Sequence, residues 1–255
     1  MSKGSIQRVR RLGRHARARR EEGAFVVEGP RAISAALDFD ADLDEVLVVG
    51  GAEVELVNRA RAAGATITHV EAEQLERALT TRTPQPIVAV AGLVSWSPKE
   101  IAAQAVDSGL PVVVLAGVSD PGNAGTIIRS AVAAGAAGVL LTPGSVDPTN
   151  PKCVRSSAGA LFATLVGAVE DMDTLRDLGL ATIGAAAGGV GPDEVDLTGP
   201  VALVFGGEAA GLPEDQLVDH EVALPLESGV ESLNVAMAAT VLLYEARRQR
   251  NGGSW

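Results

Sequence analysis

An α/β fold is predicted by two observations. Short apolar runs alternate along the chain with segments of helical spacing. Ala, Val, Leu and Ile dominate a 47% hydrophobic composition in which only 3% of residues are aromatic. A core of that kind suits mainly parallel strands covered by alanine-rich helices. The 255 residues provide for one large or two modest domains.

The chain opens on a basic segment. Residues 1–20 hold Lys3 and seven arginines, among them Arg8, Arg10, Arg11 and Arg14, and no acid; this local +8 against a chain total of −11 leaves −19 for the remainder. Concentrated arginines can contact phosphates even in an acidic chain, and a solvated, partly disordered tail is the competing reading of the same charges. Ala24–Glu28 then reads as a strand, and Gly29-Pro30 turns into a helix over 31–37. Strands are expected at 45–49, 65–70 and 87–93, with helices at 53–63 and 71–79 between them. Ser97 can cap the next helix, with Pro98 at its first position and Glu100 at its third. These features divide the chain into 1–97, a linker helix 98–107 and 108–255.

In the last part, strands are expected at 111–116, 138–141, 180–184, 201–205 and 221–223, and helices at 124–134, 173–178 and 231–248. Residues 185–192 read as a Gly/Ala-rich loop. Cys153 is the sole cysteine, so no intrachain disulfide or cysteine metal cluster is available. His15, His69 and His220 are scattered, and neither a histidine metal site nor a histidine triad is indicated. Neither a lysine-containing phosphate loop nor a dinucleotide fingerprint is present. With no apolar run of spanning length and no signal-peptide pattern, a soluble cytoplasmic protein is expected.

Three blocks carry candidate chemistry. In Asp120-Pro121-Gly122-Asn123-Ala124-Gly125, glycines let backbone approach a ligand, Asn123 can cap a helix, and Arg129 lies six residues further on. A guanidinium there can hold a phosphate through paired hydrogen bonds. In Val204-Phe205-Gly206-Gly207-Glu208, glycines follow a buried strand, where open α/β sheets bind ligands. In the third block, Leu224-Pro225-Leu226 leads to Glu231-Ser232-Leu233-Asn234 at the start of the last helix. Each block alone is accounted for by an ordinary cap or turn; their conjunction is not.

Together they resemble motifs 1, 2 and 3 of the SpoU/TrmH-type RNA 2′-O-methyltransferases of the SPOUT superfamily. Pro151-Lys152-Cys153-Val154-Arg155-Ser156-Ser157-Ala158-Gly159 resembles a further family segment, and Phe25–Pro30 with Thr83-Pro84-Gln85 resembles its ribosomal-protein-like RNA-binding domain. The resemblance implies a trefoil-knotted methyltransferase domain from about 108 onward, a homodimer formed through it, and a small α/β RNA-binding domain before it. It implies S-adenosylmethionine as cofactor, held by Gly206, Leu224 and Leu233, and no metal. Asn123, Arg129, Glu208, Ser232 and Asn234 become the expected catalytic residues, and Arg8, Arg10, Arg11, Arg14 and Arg155 the RNA contacts. Ribosomal RNA is the expected substrate; transfer RNA, or a non-catalytic role in RNA binding or ribosome assembly, is the alternative. Three positions depart from the family pattern: Ser228-Gly229 in the third block, Ala209 after Glu208, and Pro86 after Thr83-Pro84-Gln85.

Overall fold

The computed structural model describes every residue except Met1, Arg82, Ala209, Ala210, Glu214, Asp215, Gln216 and Trp255. The chain forms two compact units, Met1–Val94 with Asp147–Ala163, and Ser95–Val146 with Thr164–Trp255. Sequence boundaries at 97 and 107 follow chain order, whereas packing groups 147–163 with the first unit.

The first unit begins with helices α1 (Ser2–Arg14) and α2 (Ala16–Glu22), so the basic segment is folded and not a disordered tail. The physical reason is a narrow apolar stripe: Ile6, Val9 and Leu12 recur every three residues, and Val9 and Leu12 are fully buried. Next come β1 (Ala24–Glu28), α3 (Pro30–Asp38), β2 (Leu43–Val48), α4 (Val54–Ala62), β3 (Thr66–His69), α5 (Ala72–Ala78) and β4 (Ile87–Gly92). The sheet order is β1-β4-β2-β3, with only the β2–β3 pair parallel. Both faces are covered. Phe25 and Val27 pack with Ile33, Leu56 and Ile87, while Val26 packs on the opposite side with Leu12, Leu75 and Val88. This is the two-residue alternation of a strand buried on both sides.

The second unit contains α6 (Pro98–Ser108), β5 (Val112–Ala116), α7 (Pro121–Ala134), β6 (Gly138–Leu141), β7 (Leu165–Ala168), α9 (Met172–Asp177), β8 (Ala181–Val190), β9 (Val201–Gly206), β10 (His220–Val222) and α10 (Val235–Arg250); α8 (Pro151–Ser156) belongs to the first unit. Its six strands are all parallel, in the order β10-β8-β9-β5-β6-β7. The Ser97–Glu100 capping box forms as expected at α6. Helix α10 lies against α7, where Ser130 and Thr240 hydroxyls are 2.7 Å apart. Arg247 and Arg250 donate to the Ala133 and Ala134 carbonyls, both at 3.1 Å, placing cations at the negative end of α7.

Four local expectations are corrected. Helix α7 starts at Pro121 and is capped by Asp120, whose Oδ1 accepts from the Asn123 N–H at 2.9 Å; Asn123 is therefore inside the helix and does not cap it. Helix α10 starts at Val235, leaving Ser232 before the helix and Asn234 as its cap. The stretch 185–190, expected as a loop, continues β8 and pairs with β10. Strand β7, absent from the sequence reading, has only four residues, and its small Gly167 lets the backbone of Trp96 bridge to it.

Candidate active site

The parallel sheet decides where a ligand can enter. β5 and β9 lie side by side and the remaining strands extend the sheet on either hand. Beyond the carboxyl ends of strands at such a switch point, the flanking connections diverge and leave a crevice. A cavity of about 470 Å³ opens at the carboxyl end of β9, on the side of β8 and β10, walled by residues 185–187 of β8, 205–208 at the end of β9, 222–224 at the end of β10 and just after it, and 231–235 before and at the start of α10. Its floor is glycine by necessity: a Cβ on Gly206 would lie 2.1 Å from the Gly211 carbonyl oxygen. Leu224 and Leu233 give it apolar surface, and Glu208, Glu231, Ser232 and Asn234 give it polar groups. Ala209 and Ala210, within the second sequence block, lie outside the described residues.

The third block is shaped by two local devices. The Val230 N–H donates to the Glu227 carbonyl at 3.3 Å, closing a turn in which Gly229 sits at φ 90°, a conformation that favours glycine. The Ser228-Gly229 departure is thus a tight turn ahead of the cavity wall. Asn234 then does two jobs. Its Oδ1 accepts from the Ala236 and Met237 N–H groups, at 2.9 and 3.3 Å, while its Nδ2 donates to Asn123 Oδ1 at 3.1 Å. Residues 111 positions apart are thereby joined, and the first and third blocks meet at the amino-terminal ends of α7 and α10. Arg129, also on α7, is exposed and does not line the cavity.

The first unit gathers the remaining candidates around carboxylates. Arg8 pairs with Glu22 and Asp44, Arg11 with Glu22, and Arg14 reaches the Arg77 carbonyl at 3.5 Å, while Arg10 is exposed. Buried Arg19 donates to Asp147 at 2.6 Å, to the Thr149 hydroxyl at 3.1 Å and to the Leu12 carbonyl at 2.9 Å. Burial pushes the Asp147 carboxyl up, but hydrogen bonds from Thr149 and Arg19 together hold it below the ordinary carboxylate range. Glu28, only 8% exposed, accepts from Thr81 at 2.8 Å, from the Gln85 N–H at 3.3 Å and from Arg155 at 3.4 Å. Three sequence motifs, Phe25–Pro30, Thr83–Gln85 and the α8 segment, therefore converge on one buried carboxylate.

The profile of the SpoU rRNA Methylase family matches residues 111–244. The chain belongs to that family. A second profile, the MRM3-like substrate binding domain, matches residues 3–89. Among relatives of this SpoU chain, the 23S rRNA (guanosine-2′-O-)-methyltransferase RlmB of Xanthomonas axonopodis is 34% identical over 89% of the chain and 97% of that protein. A Synechocystis protein named as an uncharacterized tRNA/rRNA methyltransferase, slr1673, is 43% identical over 54% of the chain, a match spanning 53% of that protein. The crystal structure of an AdoMet-bound rRNA methyltransferase from Sinorhizobium meliloti superposes with a TM-score of 0.86 at 28% identity, covering 98% of this chain and 96% of that one. The α/β fold with an amino-terminal substrate-binding domain is that of SpoU/TrmH structures.

In this SpoU fold, Gly206, Leu224, Leu233, Glu208, Ser232 and Asn234 all line one cavity, and Asn123 is tied to it through Asn234. The sequence reading did not single out residues 185–187, Leu226, Ala238 or Leu242 on the same wall, nor assign a role to Glu231. Small and apolar side chains of that kind carry no motif signal; Glu231 carried one by its place beside Ser232.

Proposed function

We propose that the protein is an S-adenosylmethionine-dependent RNA methyltransferase that modifies a ribose 2′-hydroxyl, with ribosomal RNA as substrate. The observation that carries the reading is the convergence of the second and third blocks on one cavity at the carboxyl end of a parallel sheet. The residues present fit the cofactor. A volume of about 470 Å³ falls in the range of small-molecule sites, and the Gly206 floor brings backbone close where any side chain would collide. Leu224 and Leu233 supply apolar faces for a purine, and residues 206–208 supply backbone groups for its polar edge.

Bound there, S-adenosylmethionine supplies a methyl group on a positively charged sulfur that leaves as a neutral thioether. The chain's own work is then alignment and charge management. Asn234, fixed by capping α10 and by its bond to Asn123, presents a rigid amide at the cavity wall. Ser232 adds a hydroxyl beside it that can accept or relay the ribose proton. Arg129, exposed on α7, holds a substrate phosphate through the paired donors of its guanidinium. In the first unit, Arg155 and the exposed Arg10 contact the RNA backbone, whereas Arg8 and Arg11 must leave carboxylate partners to do so.

The same reading places a trefoil knot in residues from about 108 onward and a homodimer in the cytoplasm. The dimer is supported by Met237 and Val241, exposed one turn apart on α10 next to α7. The test is transfer of labelled methyl from S-adenosylmethionine to purified ribosomal and transfer RNA, followed by mapping of the modified ribose. Label on ribosomal RNA that protects one linkage from alkaline cleavage is the expected result. Label on a base, or on neither RNA with cofactor binding intact, contradicts it.

A further inference from the structure

The cavity has a charge pattern that the methyl-transfer reading does not by itself require. Glu208 and Glu231 both line it, and among its described lining residues there is no Lys, Arg or His. The rest of the wall is largely apolar, with Phe205, Leu212, Leu226 and Leu242 contributing. A carboxylate beside such a surface is less screened than one in open water. We infer that Glu231, together with Glu208, reads the charge of the cofactor's sulfur, so that the site holds cationic S-adenosylmethionine more tightly than its neutral demethylated product. This rests on the cofactor reading above and deepens it.

The chemistry isolates one charge. Substrate and product share the adenosine, the ammonium and the carboxylate, and differ in a methyl group and the positive charge on sulfur. Carboxylates facing the cavity act on the shared ammonium equally in both, so the ratio of the two affinities reports the sulfonium. When the ribose oxygen–carbon bond forms and the sulfur–carbon bond breaks, the bonding pair returns to sulfur, the ribose proton passes to solvent, and the attraction disappears. Product departure is thereby favoured over product retention. The transfer step is slowed by no more than the same factor, because the attraction is stronger in the ground state than after charge is lost. Glu231 is exposed, so the effect belongs to the modest, salt-sensitive range of partly solvated charges, about threefold to tenfold in affinity.

Titration calorimetry on the full chain tests this with three ligands: S-adenosylmethionine, S-adenosylhomocysteine, and an analogue bearing an ammonium in place of the sulfonium. The wild-type protein is expected to prefer both cations over the thioether, and to lose that preference as salt rises. Glu231→Gln should shrink the preference by roughly threefold or more, whatever common loss the shared ammonium imposes on all three ligands; Glu231→Asp should retain most of it. An unchanged ratio in Glu231→Gln, with all three ligands still binding, overturns the inference and leaves the cofactor reading standing. Failure of the wild-type protein to bind any of the three overturns the cofactor reading itself.

Discussion

The first unit and the cavity of the second treat charge in opposite ways. In the first, arginines and carboxylates are matched: Arg8 and Arg11 with Glu22, Arg19 with Asp147, Arg155 with Glu28. In the second, the cavity wall carries Glu208 and Glu231 with no described cation among its lining residues. A count of basic residues along the chain pointed to residues 1–20 as a candidate RNA contact, yet several of those guanidiniums hold the first unit together. The difference teaches that a local charge excess becomes a binding surface only where the fold leaves it unmatched.

The largest effect that would break this contrast is on stability. Arg19 is 3% exposed, and removing its carboxylate leaves a buried cation without its partner. Asp147→Asn should therefore destabilise the protein by roughly 2–4 kcal/mol in urea unfolding, while Arg17→Ala on the same helix, whose partner Glu21 is exposed, should change it by less than about 0.5 kcal/mol. The pH dependence has a definite sign. A carboxylate whose folded value lies below its unfolded one stabilises above about pH 3.9, and that contribution is lost as pH falls through the folded value. Asp147→Asn should flatten the acid limb of the stability curve; an identical limb in both proteins would show that the pair does not govern it.

A smaller effect sharpens the assignment of RNA contacts. Arg155 is held at 3.4 Å from Glu28, a long contact that leaves donors for a phosphate, whereas Arg8 is bound to both Glu22 and Asp44. Arg155→Ala is expected to weaken RNA binding about tenfold and to reduce its salt dependence by about one counterion, and Arg8→Ala to weaken it by no more than about twofold. Equal losses in filter-binding titrations would make the basic helix as much a contact as Arg155.

Much of this was legible from residue order. Ser97-Pro98-Lys99-Glu100 specified its capping box from local chemistry alone, and the glycines after Phe205 pointed to the cavity once they were taken with the first and third blocks. Other features were not, for identifiable reasons. In α1, five cations obscured an apolar stripe of three residues, and only packing against β1 and α5 reveals that it is a core face. The run 185–190 lacks β-branched residues before Val190, so its strand character comes from pairing with β10 and not from propensity. Asn123 had the residue type of a cap, but Asp120 three positions earlier took that role and freed the Asn123 amide for Asn234. Spacing placed Arg129 on α7 correctly and carried no information about which way it faces.

The central claim is that the second unit's cavity holds the cofactor while most of the RNA affinity comes from contacts outside that cavity, and Gly206→Val tests it most directly when both ligands are titrated against the same variant. A valine side chain at a position whose Cβ would meet the Gly211 carbonyl oxygen at 2.1 Å must displace the cavity floor. The account predicts loss of S-adenosylmethionine affinity by about a hundredfold or more, with RNA affinity within about threefold of the parent and an unchanged circular dichroism spectrum. Retained cofactor affinity, or equal losses for both ligands in a folded protein, would contradict it.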